Sequence, residues 1–351
     1  MTLIDCDVHG VVPAVEALIP YLDEHWREVI ATSQFSGPTD QPHPPNVETS
    51  LRADLEPLNG AAPGTNLDSL RAHVLDPLEV EAAILSCDYA VDSVRNPDAA
   101  AALATAVNDW QLAEWLEPEP RLSAAIVVPS SQPAMAAREI ERVAEHPAFV
   151  AVALPVRSAV PYGNRIWWEL FETAVAHDLV VELHFGGSPG VPPTAAGWPT
   201  SWLEDYVDMA SAFQSQLTSL VAEGTFERFL TLRVALIESG FAWLPAFLWR
   251  FDKSWRGLRR EVPWTRRAPS EYVREHVRVA LQPVDGPTDA GELGRVLDQV
   301  GAENLLMFSS DYPHRHSDEG LAAIPEGLSE SARARVLSEN AREHYRLKER
   351  R

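Results

Sequence analysis

Short runs of Val, Ile, Ala and Leu recur along the chain, each followed by a longer stretch whose apolar positions return every three or four residues. The short runs predict strands at 3–7 (LIDCD), 82–87 (AAILSC), 122–128 (LSAAIVV), 148–154 (AFVAVAL), 179–185 (LVVELHF), 232–239 (LRVALIES), 276–282 (HVRVALQ, a weaker run) and 304–311 (NLLMFSSD). The longer stretches predict helices at about 13–30, 98–116, 133–145, 165–177, 202–226, 243–260, 289–300 and 330–347. The strand runs carry almost no polar alternation, as expected of strands buried on both faces of a helix-covered parallel sheet. Eight such units predict an α/β fold, a distorted (β/α)8 TIM barrel that takes the whole chain, 1–351, as one domain. An open doubly wound sheet is the alternative. No GxGxxG follows the first strand and no GxxxxGK[ST] occurs, so dinucleotide and P-loop readings lose their main support.

Residues 33–66 break the rhythm. They contain SGPTDQPHPPN and EPLNGAAPGTN, rich in Pro, Gly and Asn and without periodicity. A stretch of this length in a compact enzyme is expected to be a lid or interface loop, here an irregular insertion after the first strand–helix unit.

Composition narrows the function. The 351 residues are 46% hydrophobic, enough for a large core. Lys and Arg number 29 against 51 Asp and Glu, a formal charge of −22. That balance argues against a nucleic-acid partner, which needs basic surface, and against an anionic membrane surface. No uncharged apolar run reaches the length of a membrane span. The two cysteines, Cys6 and Cys87, form no CxxC pair, and the N-terminus has no signal-like pattern, so a reduced, cytoplasmic setting is expected.

Acids and histidines gather at the C-terminal ends of the predicted strands, which in a barrel is the catalytic face. The first strand ends in Asp5-Cys6-Asp7-Val8-His9; strict alternation points Asp5, Asp7 and His9 inward and Cys6 away. An oxygen and an imidazole nitrogen two residues apart suit a divalent ion such as Zn or Mn. The fifth strand ends in Glu182-Leu183-His184 before two glycines, with Glu182 deeper and placed to brace the ligands. The sixth ends in Glu238, a carboxylate after an apolar run that must be paired or bound to something. The eighth ends in Asp311-Tyr312-Pro313-His314, placing Asp311 as ligand or proton acceptor and His314 over the pocket. Arg315 and His316 are weaker candidates. A Ser-His-Asp hydrolase is disfavoured because no GxSxG elbow occurs.

These residues, IDCDVH at the first strand, RIWWELFETAVAHDLVVELHFGG, VALIESGFAWLPAFLWRFD, PSEYVREHV, SSDYPH and ENAREHY together resemble the amidohydrolase-2 group, in the branch similar to aminocarboxymuconate-semialdehyde decarboxylase. The resemblance spans nearly the whole chain. It implies a distorted barrel with one divalent metal held by an HxH pair, a strand-five His and a strand-eight Asp. Carried over, the ligands are Asp7, His9, His184 and Asp311. Two departures stand out. Asp7 replaces the first His of the pair, and Glu238 stands where a strand-six His generally activates water.

The leading expectation is an amidohydrolase-superfamily hydrolase acting on a small cyclic or aromatic molecule through a metal-activated water, with Asp311, Glu238 and His314 as catalytic groups. Substrate contacts are expected from 33–66, the 187–202 loop and Trp198, Trp202 and Trp243. The alternative is metal-dependent, non-oxidative decarboxylation of an aromatic or unsaturated carboxylic acid, with His314, Arg157 or Arg165 serving the carboxylate. A non-catalytic binding barrel is the third reading. A homodimer is expected from the family resemblance.

Overall fold

The computed structural model describes residues 2–38, 52, 54–187, 190–315 and 324–348. All eight expected strands form: β1 (Leu3–His9), β2 (Val80–Ser86), β3 (Leu122–Val127), β4 (Phe149–Pro155), β5 (Val180–His184), β6 (Arg233–Ile237), β7 (Val277–Ala280) and β8 (Leu306–Met307). They pair in sequence order, every neighbour parallel. The ring is closed by residues just past β8. Cys6 N donates to Phe308 O (2.9 Å), His9 N to Tyr312 O (2.8 Å) and Asp311 N to Asp7 O (3.1 Å). The barrel is therefore complete, and the open doubly wound sheet is set aside.

Two apolar layers follow from strand alternation. Val8, Leu85, Ile126, Leu154, Leu183, Leu236 and Val279 pack outward into the layer beneath the helices. Ile4, Cys6, Ile84, Ala125, Ala151, Val180, Ala235 and Met307 fill the interior. Small residues dominate there because side chains from all strands converge on one axis. Tyr345, from the C-terminal helix Asn340–Tyr345, joins the interior cluster and donates its hydroxyl to Glu182 Oε1 at 2.7 Å.

The strand alternation fails at one place in β1. Its register against β2 shifts between Asp5 and Val8. Ile4 and Cys6 face the interior and Val8 the outer layer, so Cys6 does not point away from the site as strict alternation predicts. A local bulge of this kind re-aims the residues that follow it. Asp5 instead braces the backbone: its Oδ1 accepts from Asp7 N (3.2 Å) and Ser310 N (3.0 Å).

The helices also refine the expected boundaries. The helix expected at 13–30 is a 3-10 segment, Val15–Tyr21, followed by an α-helix, Glu24–Thr32. Pro20 offers no N–H to continue the first, and the Asp23 carboxylate caps the second by accepting from Trp26 N at 3.0 Å. The long helix Trp202–Ala222 begins with a capping box of Ser201 and Glu204. None of the described helices is long and apolar enough to cross a membrane.

Of the insertion expected at 33–66, residues 39–51 and 53 lie outside the described residues, as does His316. The remainder reaches the mouth of the barrel beside β1 and β8. Val11 N donates to Gly64 O (2.8 Å), Gly64 N to the Tyr312 hydroxyl (3.0 Å) and Arg52 N to Pro313 O (3.0 Å).

Candidate metal centre

The polar groups converge at the C-terminal mouth by three routes. His184 ends β5 on its inward face, above Glu182, as alternation requires. Asp7 and His9 arrive through the register shift in β1. Glu238 and Asp311 arrive through left-handed backbone, with φ of 58° and 52°. Alternation would send Glu238 outward with Val234 and Leu236; the positive φ turns it back over the barrel axis. Such a conformation costs a non-glycine residue of the order of 1 kcal/mol and persists only where the surroundings enforce it.

The resulting cage is tight and buried. Asp7 and Asp311 have no exposed surface, and His9 and His184 have almost none. His9 Nε2 lies 3.5 Å from Asp7 Oδ1 and 3.4 Å from Glu238 Oε1. His184 Nε2 lies 3.6 Å from each of the same two oxygens. Asp311 Oδ1 sits 2.7 Å from His9 Nε2 and 3.0 Å from His314 Nδ1. His314 is the most open of the group, and its ring centroid is 4.4 Å from that of His9.

Thus the structure brings together Asp7, His9, His184 and Glu238 as one set of converging donors, and His9, Glu238, Asp311 and His314 as a second. Both sets share His9 and Glu238. Two ligands bound about 2.1 Å from a first-row divalent ion at a tetrahedral angle stand about 3.4 Å apart. The four imidazole–carboxylate separations within the first set match that spacing, whereas Asp311 Oδ1 stands at hydrogen-bond distance from His9 and His314. Both carboxylate oxygens of Asp7 and Nε2 of His184 are buried with no hydrogen-bond partner among the described residues. Orphaned buried donors aimed at one point are costly unless something binds there. The residues therefore fit a divalent cation.

The electrostatics agree. Burial opposes charge on His9 and His184, yet the surrounding carboxylates of Asp7, Asp88, Glu238 and Asp311 hold both imidazoles well above the usual histidine range. Burial and the neighbouring Asp311 carboxylate raise Glu238. Burial also lifts Glu182 to about 8 and Asp5 to about 7. Protons on the imidazoles balance an excess of carboxylates, the balance a dication would otherwise supply.

An open cleft adjoins the cage, lined by the loop after β2 and by the C-terminal ends of β3, β4 and β5 with the residues just past β3 and β5. His184 and Asp88 form its polar side; Val91, Val128, Leu154 and Phe185 form apolar walls. Phe185 packs against Trp202 and Tyr206, with ring centroids 6.1 and 5.6 Å away. Of the tryptophans expected at the substrate, Trp202 thus backs the cavity. Trp243 donates to Ser239 O (2.9 Å) and packs on Phe247. Trp198 is exposed.

Two arginines considered for a substrate carboxylate are engaged elsewhere. Arg157 forms a buried ion pair with Asp205. Arg165 lies over the rings of Trp168 and Trp264. Sequence reasoning missed Asp88 and Tyr206. Asp88 lies two residues past its strand with no histidine beside it. Tyr206 sits on a helix, where the strand-end signal does not apply.

Residues 4–347 match the family model described as Amidohydrolase. The gamma-resorcylate decarboxylase of Polaromonas sp. (strain JS666 / ATCC BAA-500) is 26% identical over 299 residues, covering 80% of this chain and 88% of that one. A crystal structure of dihydroxybenzoic acid decarboxylase from Polaromonas sp. JS666, with bound manganese and the inhibitor 2-nitroresorcinol, has a TM-score of 0.68 at 21% identity, covering 98% of this chain and 97% of that one. An amidohydrolase from Mycobacterium avium subsp. paratuberculosis K-10 has a TM-score of 0.72 at 21% identity, covering 98% and 99%. The structural likenesses establish the barrel.

The curated relative overturns the expectation of a hydrolase, because it is named as a decarboxylase. The physical reason for the misreading is that both chemistries use a cation beside a proton-carrying carboxylate. The residues visible at strand ends serve either. By its family match over nearly its full length, the chain belongs to the amidohydrolase family.

Proposed function

We propose that the chain is a metal-dependent, non-oxidative decarboxylase of an aromatic carboxylic acid bearing an oxygen next to the carboxyl group. The observation that carries this reading is the juxtaposition of an apolar, aromatic-backed cleft with a cage of three imidazoles and three carboxylates. The relatedness to a gamma-resorcylate decarboxylase supports it.

Asp7, His9, His184 and Asp311, joined by Glu238, are the groups proposed to hold one divalent ion. The oxygen-rich set favours manganese over zinc, in keeping with the manganese in the dihydroxybenzoic acid decarboxylase structure. When bound, the ion supplies the positive charge that holds the substrate's carboxylate and its neighbouring oxygen.

The remaining chemistry belongs to the chain. The ring rests against Phe185 and the valine walls, which exclude water from the carbon that loses its carboxyl. Asp311 delivers a proton to that carbon. The carbon–carbon bond then breaks, its electron pair returns to the ring and carbon dioxide leaves. His314, 3.0 Å from Asp311 Oδ1 and partly open to solvent, returns a proton to Asp311.

Phenol formation from a panel of ortho-hydroxybenzoic acids tests the reading. Manganese-loaded protein is expected to turn over at least one member, chelation to abolish turnover and manganese to restore it. Asp311→Asn is expected to lower kcat/KM by about 100-fold or more, the usual weight of a general acid. Full turnover after chelation, or in Asp311→Asn, would contradict it.

A further inference from the structure

One carboxylate near the cage is not accounted for by holding an ion or by moving the proton. Asp88 lies two residues past β2, in a turn where Tyr89 N donates to Cys87 O (2.8 Å). The turn is tied to the end of β1 by Gly10 N donating to Ser86 O at 3.0 Å. Its Oδ2 lies 3.2 Å from His9 Nδ1 and 3.5 Å from His184 Nδ1. A single oxygen thus faces the Nδ1 atoms of two imidazoles that come from β1 and β5. Those two rings stand edge to face, with centroids 5.2 Å apart. His184 Nδ1 has a second acceptor, Phe185 O, at 3.0 Å.

We infer that Asp88 is a positioning residue that sets the orientation and tautomer of His9 and, beside the Phe185 carbonyl that accepts from His184 Nδ1, steadies the His184 ring. An acceptor at Nδ1 fixes the proton there and leaves the Nε2 lone pair for an ion. Both Nε2 atoms face Asp7 Oδ1 and Glu238 Oε1, on the side of the rings away from Asp88. Because the same oxygen faces both rings, Asp88 links the ends of β1 and β5 across the mouth, where the sheet itself does not join them. Asp88 touches neither the ion's place in the cage nor the proton pair Asp311–His314. Its side chain is 45% exposed and lines the cavity, so its removal leaves the buried core unchanged.

The inference rests on the reading that the two imidazoles hold an ion, and its test separates the two. Manganese affinity is measured on metal-free protein by equilibrium dialysis against manganese chloride, for wild type, Asp88→Asn and Asp88→Ala, alongside thermal midpoints of the metal-free proteins. Asp88→Ala is expected to weaken binding about 10- to 100-fold. Asp88→Asn keeps a neutral acceptor and is expected to lie between it and wild type. The midpoints are expected to stay together, because no buried contact is lost. Equal affinity in all three proteins would overturn the inference and leave the metal reading standing. Equal losses in both variants accompanied by a lowered midpoint would also overturn it, as the mark of a role confined to the loop. Failure of wild type itself to bind manganese would overturn both.

Discussion

His9 and His344 are both buried imidazoles, and their neighbours drive them in opposite directions. Carboxylates surround His9 and hold it well above the usual histidine range despite burial. His344 has Arg278 and Arg233 near it, and burial and those guanidinium groups push it well below the usual range. It stays neutral and donates from Nε2 to Val234 O at 3.0 Å. The sign of its linkage follows. Below about pH 6.5 the unfolded chain takes up a proton that folded His344 refuses, so stability falls as pH drops, by at most about 1.4 kcal/mol per pH unit. His344→Gln, which keeps a donor, is expected to show a shallower loss between pH 6.5 and 5 in urea unfolding than wild type; parallel pH profiles would refute this. The sequence gives both histidines but not these surroundings. His184 was legible because it ends an apolar run. Glu238 and Asp311 were legible as candidates, whereas their aim was not, since it depends on left-handed backbone. Asp88 carried no signal, because its partners come from distant strands.

At the level of elements, the loops that follow the strands decide whether the site forms. Glu238 is held in place by the turn after it. Gly240 has φ of +63°, and a Cβ there would meet Asp285 Oδ2 at 2.4 Å. The other oxygen of that carboxylate accepts from Phe241 N (2.9 Å) and Ala242 N (3.0 Å). Gly240→Ala is therefore expected to destabilise the protein by more than the ~1 kcal/mol of left-handed strain alone and to weaken manganese binding by disturbing Glu238. Unfolding in denaturant checks the first effect and dialysis the second; a variant as stable as wild type would contradict the role given to this turn. The eight strands were legible because continuous apolar runs bounded by amphipathic stretches have few other readings. The bulge in β1 was not, because period-two alternation contains no term for an inserted residue. The break at 13–30 was signalled by Pro20 and Asp23, and the capping residue explains where the second helix starts.

At the level of the whole molecule, closure of the barrel and assembly of the site are the same event. The hydrogen bonds that join β1 to the segment after β8 set Asp311 beside Asp7 and His9. The charge of −22 becomes informative only here, where several acids surround two imidazoles instead of coating a surface. The fold was legible from periodicity and the cage from strand ends. The reaction was not, because one arrangement of ligands serves both hydrolysis and decarboxylation. The central claim is tested most directly by supplying manganese-loaded protein in deuterium oxide with an ortho-hydroxybenzoic acid labelled with carbon-13 in its carboxyl group. The account predicts release of labelled carbon dioxide and a phenol carrying one deuterium on the vacated carbon. Label retained on the aromatic product across the whole panel would contradict it.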